Sequence, residues 1–149
     1  MLYCFAFWRQ VALIKLYNMQ LQNQNKEFIT RYFKALAGGA PKTKELLEKY
    51  IADEELIQHI AFFETVFPGY EIIADEMTAE DNRVVVKARL KGVHEGELNG
   101  ILPTYRAVEF AFAISYEIEN EKIVHHWLIA DQMELMQQLG VVHSAEAVH

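Results

Sequence analysis

Cys4 is the only cysteine in this chain of 149 residues. No disulfide framework can form within the chain, which fits a reducing compartment, and the expected location is the cytoplasm. Positive charge is scarce too: 14 Lys and Arg stand against 21 Asp and Glu, a formal net charge of -7. A nucleic-acid binder needs a basic face for phosphate, and an anionic membrane needs a basic cluster. Neither is written here, so no nucleic-acid and no membrane partner is expected. The Cys/His spacing that marks a metal site is missing, and so is a Gly-rich loop that could cradle phosphate. No internal repeat, low-complexity stretch or second domain can be read. What is present is ordinary for one globular domain: 52% apolar and 23% charged residues, with 12% aromatics to line a cavity.

The first 18 residues, MLYCFAFWRQVALIKLYN, are apolar and aromatic but interrupted by Arg9 and Lys15. They are too short and too charged for a membrane span, and they lack the basic start and small-residue cleavage site of a signal peptide. The expectation is an extension over residues 1–18, with Met19 as the natural start. A single domain then covers 19–143, and a disordered tail follows from Ser144.

Apolar spacing predicts three helices and then four strands. Phe28, Ile29, Tyr32, Phe33 and Leu36 form one stripe over Asn25 to Ala37, with Asn25 as cap and Gly38-Gly39 as stop. A shorter helix spans Pro41 to Tyr50. Asp53 caps a third, whose stripe is Leu56, Ile57, Ile60, Phe63 and Phe67, and Pro68-Gly69 ends it. Strands are expected over Tyr70 to Met77, Arg83 to Glu95, Arg106 to Ile118 and Lys122 to Ala130, with a closing helix from Gln132 to Leu139. Strands joined by short turns pair antiparallel, so the order implies an α+β fold with helices packed on one face of the sheet.

Asp131 follows an apolar strand. Strict alternation gives it a face shared with Ile123, His125, Trp127 and Ile129, and both faces of that strand look apolar enough to be covered. Two readings of Asp131 stand side by side. A carboxyl among apolar neighbours has a raised pKa and can serve as acid or base, whereas one before Gln132 can cap the helix. His94 ends an apolar strand face, where a structural, hydrogen-bonded imidazole competes with a functional one. His125-His126 puts one ring on each face. His59 sits one position before Ile60 of the third helical stripe. A metal site from His59, His94 and one of the pair lacks tight ligand spacing, so no metal is expected. Trp127, Phe62-Phe63 and Phe110-Phe112 read as core. Glu109, Ser115 and Glu117 read either as a solvated face or as a pocket wall.

Motif order adds a resemblance. Gly92-Val93-His94-Glu95-Gly96, Gly100-Ile101-Leu102-Pro103-Thr104, Lys122-Ile123-Val124, Trp127, Asp131 and Gln138-Leu139-Gly140 resemble the SnoaL-like polyketide cyclase (ester cyclase) pattern. Phe67-Pro68-Gly69-Tyr70 is similar to its segment after the third helix. The resemblance runs from about Lys26 to Val142. It implies a nuclear-transport-factor-2-like cone, a bent antiparallel sheet around a pocket closed by helices. It also implies intramolecular aldol ring closure of a hydrophobic, polyketide-ester-like carbonyl compound, without metal or cofactor, with Asp131 as acid/base. His94 would assist, and His59, Phe63, Glu109, Trp127 and Tyr105 would contact substrate. A homodimer formed sheet to sheet is expected. Three departures stand out: Tyr105 replaces a Gly, His125 replaces the Glu before the Trp, and the segment after His59 is short. The alternatives are a non-catalytic small-molecule-binding or assembly module on the same fold, or an isomerase or epoxide-hydrolase-like enzyme.

Overall fold

A computed structural model describes residues 1–142, and the tail expected from Ser144 lies outside them. Helix α1 spans Leu2–Leu36, α2 Lys44–Leu47 and α3 Glu54–Val66. Strands β1 Glu71–Glu80, β2 Arg83–Val93, β3 Ala107–Glu119 and β4 Lys122–Ala130 follow, and α4 Gln132–Leu139 closes the order. The strands form one antiparallel meander in the order β1-β2-β3-β4. The expected α+β cone is therefore what the chain adopts.

Two helices differ from expectation. Helix α1 does not start at Asn25 but runs through it, because no Gly or Pro interrupts residues 2–36. The Asn25 side chain instead donates to the Asp81 carbonyl at 3.2 Å, tying α1 to the β1–β2 turn. The buried stripe begins only there, with Asn25, Phe28, Ile29, Tyr32, Phe33 and Leu36. Upstream, Phe5, Trp8, Leu13 and Leu16 lie exposed. Helix α2 is a single turn capped by the Thr43 hydroxyl, and the chain continues as turns to Tyr50. Helix α3 starts as read, with Asp53 Oδ1 accepting the Leu56 N–H at 3.2 Å.

The inner sheet face carries Val84, Val86, Ala88 and Leu90 of β2 and Val108, Phe110, Ile114, Tyr116 and Ile118 of β3, all buried. Two core clusters form on it. One gathers α1, α2 and the start of α3 over Val84, Val86, Ile114 and Tyr116. The other joins Val66, Phe67, Tyr70, Leu90, Val108 and Phe110 to Leu135 and Leu139 of α4. Ile72 and Phe112 touch both.

The sequence motifs mark one junction of this fold. Gly92 packs on Phe67 and Tyr70; a Cβ there would approach Phe67 Cβ to 3.0 Å. At Gly96 a Cβ would meet the Thr65 carbonyl oxygen at 2.0 Å, so only glycine fits. The Glu95 and Gly96 N–H groups both donate to the Val66 carbonyl at 3.0 Å. Gln138 of α4 pairs with the backbone of Glu109 through both ends of its amide, each at 2.7 Å.

Tyr105, where the resemblance has Gly, keeps the glycine backbone: its φ is 55°. Its side chain is 72% exposed and has little packing to lose. A non-Gly residue held in this region costs on the order of 1 kcal/mol. Tyr105→Gly is therefore expected to stabilise the fold by about 1 kcal/mol in urea titration, against the usual destabilising effect of adding glycine.

Candidate functional site

A cavity of about 60 Å³ opens at the seam of the two core clusters. Its wall is mostly hydrocarbon: Leu56 and Ile60 of α3, Ile72, Leu90, Phe110, Phe112, Ile114, Leu128 and Ala130. Among the described residues, the lining members that carry a polar group are His59, Tyr32, Tyr70 and Tyr116. Burial pushes all three phenols well above the ordinary tyrosine range. They stay protonated donors near neutral pH. Sequence reading placed Tyr32 in a helical stripe and Tyr116 in a strand face and did not single out either. The available signal was Tyr rather than Phe at inward positions, an apolar ring with a polar tip.

Local geometry delivers the histidines. A register shift between Glu117 and Ile118 of β3 leaves Val124 as an extra residue in β4. Ile123 points inward before this bulge, and His126, Leu128 and Ala130 point inward after it. The bulge therefore corrects the strict alternation read for β4. His125, Trp127 and Ile129 face outward and are exposed, and no described residue covers that face. His126 is the inward ring of the pair, with Nδ1 2.6 Å from Asp53 Oδ2. Asp53 reaches it because residues 50–53 pair with the start of β4: the Ala52 and Asp53 N–H groups donate to the Ile123 carbonyl at 2.8 and 3.1 Å. Burial would raise the Asp53 pKa, but the His126 hydrogen bond and the Leu56 N–H outweigh it and hold the carboxyl below its usual range.

His59 is half-buried and stacks on Phe63 with ring centroids 4.7 Å apart. Burial, and then the charge of His126, lowers its pKa, while Glu55 opposes the shift. Near pH 7 the ring is neutral, with a lone pair free to take a proton.

The other sequence candidates lie elsewhere. Asp131 is the N-cap of α4: its Oδ1 accepts the Glu134 N–H at 3.0 Å, and the residue is exposed one position beyond the cavity-lining Ala130. His94 is wholly buried away from the cavity wall. Its Nδ1 accepts the Thr104 N–H at 3.1 Å, and its backbone accepts from Tyr105 at 2.9 Å. An acceptor Nδ1 leaves the ring N–H on Nε2, which has no partner among the described residues. Glu109 sits on the outer face, bridged to Arg89 and Lys91. Its neighbours alternate with Phe110, which is on the cavity side. Trp127 is turned outward by the bulge, and Tyr105 is solvent-exposed. Of the five expected substrate contacts, His59 and Phe63 line the cavity. Among the described residues no group of three His, Cys, Asp or Glu side chains is placed to hold a metal ion, and no helix is long and apolar enough to cross a membrane.

A bent antiparallel sheet with helices closing an apolar cavity defines a nuclear-transport-factor-2-like fold. Residues 17–139 match the family described as SnoaL-like polyketide cyclase, and the chain belongs to that family. Solved structures agree at the level of fold. AclR, a candidate hydroxylase from Streptomyces galilaeus, superposes with a TM-score of 0.72 at 17% identity, over 85% of this chain and 87% of its own. A candidate SnoaL-like polyketide cyclase from Jannaschia Sp. CCS1 gives 0.71 at 20% identity, over 82% and 95%. IdmH, a candidate polyketide cyclase from Streptomyces antibioticus, gives 0.65 at 21% identity, over 78% and 99%. No curated protein sequence matches this chain.

The lowered His59 pKa has a measurable consequence. In the unfolded chain the ring takes a proton near pH 6.5, while the folded ring resists it. Stability contributed by neutral His59 is full above pH 6.5 and declines as pH falls below it. The Asp53 contribution is lost only at more acid pH, below the carboxylate range. Urea midpoints of the native chain are therefore expected to fall between pH 6.5 and 5, and His59→Gln is expected to flatten that segment. An unchanged slope in the variant would remove His59 as the responsible group.

Proposed function

We propose that this chain is a cofactor-independent enzyme of the cyclase type, acting on a small, largely apolar compound with two carbonyl groups. The supporting observation is His59, a neutral half-buried base on the wall of an otherwise apolar cavity. In this reading His59 takes the proton from the carbon between the carbonyls, and the C–H electron pair moves onto oxygen as an enolate. The enolate carbon attacks a second carbonyl of the same molecule, whose oxygen recovers the proton from His59. One carbon–carbon bond forms and no atom is lost. At about 60 Å³ the cavity lies well below the roughly 300 Å³ where common ligand sites begin. The compound is correspondingly small.

The family resemblance gives the acid/base role to Asp131 instead. The Asp131 carboxylate accepts a helix N–H and stands in solvent, outside the apolar setting that role requires. The two assignments separate experimentally. Deuterium exchange into a small β-keto ester, followed by NMR in D₂O, reads proton abstraction without knowledge of the natural substrate. Wild-type chain is expected to speed exchange, and His59→Gln to lose about 100-fold or more of that rate. Asp131→Asn is expected to stay within a few-fold, since Asn also caps a helix. The opposite pattern returns the role to Asp131. No acceleration by wild type, together with retained ligand binding, favours the binding-module reading.

The homodimer belongs to the same proposal. The outer face exposes Trp127 at 43% and Ile129 at 69%, with Met133 of α4 also exposed. Such a cluster suits burial against a second copy. Light scattering at micromolar concentration is expected to report a dimer, and Trp127→Glu a monomer with an intact fold by circular dichroism. A monomer from the native chain would remove this part.

A further inference from the structure

Three tyrosines line the cavity from three separate elements: Tyr32 from α1, Tyr70 from the turn into β1 and Tyr116 from β3. They are 1%, 3% and 2% exposed. The Tyr32 and Tyr116 rings meet edge to face, with centroids 5.8 Å apart and planes at 83°. Tyr70 is held from behind. Lys42 Nζ lies 3.8 Å from its ring centroid, donates to the Tyr70 carbonyl at 2.6 Å and pairs with Glu64 at 3.5 Å. Glu64 in turn accepts the Gly69 N–H at 2.9 Å. The ring positions are therefore fixed by the fold before any ligand arrives.

Hydroxyl donors in a hydrocarbon wall need acceptors. Tyr32 and Tyr116 interact with each other, and burial keeps all three phenols protonated. Among the described residues no carboxylate lines the cavity. A group of neutral phenols on a wall without a carboxylate is suited to an oxygen that carries negative charge, in a setting where water does not compete. We propose that Tyr32, Tyr70 and Tyr116 form an oxyanion pole that holds a ligand's enolate or phenolate oxygen. The enolate form of this inference rests on the cyclase reading and names the group that stabilises its intermediate. The ligand class is a planar compound whose oxygen becomes anionic, its apolar part lying against Phe63, Phe110 and Phe112.

The test uses 4-nitrophenol, whose phenolate is followed by absorbance, and 4-nitrotoluene as a neutral companion of similar shape. The full chain is titrated with 4-nitrophenol across its ionisation. The phenolate is expected to bind at least about tenfold tighter than the neutral phenol, which lowers the bound probe's pKa by about one unit. The chain carries a net charge of -7, so it has no general attraction for anions and the preference reports the site. Tyr32→Phe, Tyr70→Phe and Tyr116→Phe each remove one oxygen, and each is expected to weaken phenolate binding about tenfold while leaving 4-nitrotoluene binding unchanged. Equal or weaker binding of the anion by the native chain overturns the proposal, and this measurement needs no variant to fold. Phenolate binding that survives all three substitutions overturns it as well. Keto-ester exchange that persists in the three variants leaves the His59 reading standing and removes this one. Tyrosine-dependent phenolate binding without any keto-ester exchange does the reverse.

Discussion

The Val66 carbonyl accepts two backbone N–H groups, from Glu95 and Gly96, both at 3.0 Å. This junction locks the end of α3 onto the exit of β2, and much of the molecule follows from it. Gly96 permits the approach because any Cβ would collide with the Thr65 carbonyl. Gly92 lets Phe67 and Tyr70 settle on the strand two turns of the pleat earlier. His94, between them, fastens the loop that carries Thr104 back onto the same strand. With α3 fixed at that end, His59 and Phe63 are committed to the cavity wall and Tyr70 enters it from the turn.

The other end of α3 is set by a second, independent device. Residues 50–53 pair with the first residues of β4, which places Asp53 over that strand. The bulge at Val124 then rotates the rest of β4 by one position, so that His126 meets Asp53 and Trp127 faces out. One extra residue thus decides which of two adjacent histidines joins the interior and leaves Trp127 on the exposed face. The same bulge leaves Leu128 and Ala130 to complete the apolar wall. The cavity is the gap between two clusters that are each anchored separately, and its polar groups come from α1, α3, β3 and the turn into β1.

The motifs that reveal the family hold the junctions of the fold. Gly92, His94, Gly96, Thr104 and Gln138 each have a packing or hydrogen-bonding task at an element junction. Asp131 caps α4 through the Glu134 N–H, the second of the two readings its sequence position allowed. The groups that meet in the cavity are three tyrosines and a histidine that lie within ordinary apolar patterns. This is physically reasonable, because a junction demands particular residue types at fixed offsets, whereas a cavity demands only that polar tips converge from distant parts of the chain.

Sequence alone was sufficient for the element order, the antiparallel meander, the Asp53 cap and the limits of β4 and α4, since these depend on local periodicity and turn chemistry. It also excluded a basic binding face and an internal disulfide, because charge and cysteine counts need no coordinates. Tertiary structure alone decided the partner of Asn25, whose side chain donates to the Asp81 carbonyl across the fold. It alone chose His126 over His125, because the phase change made by one unpaired residue is hidden in a strand whose two faces are both largely apolar in sequence. And it alone brought Tyr32, Tyr70 and Tyr116 to one cavity, since residues so far apart in sequence meet only when two separately anchored clusters are closed over the same sheet.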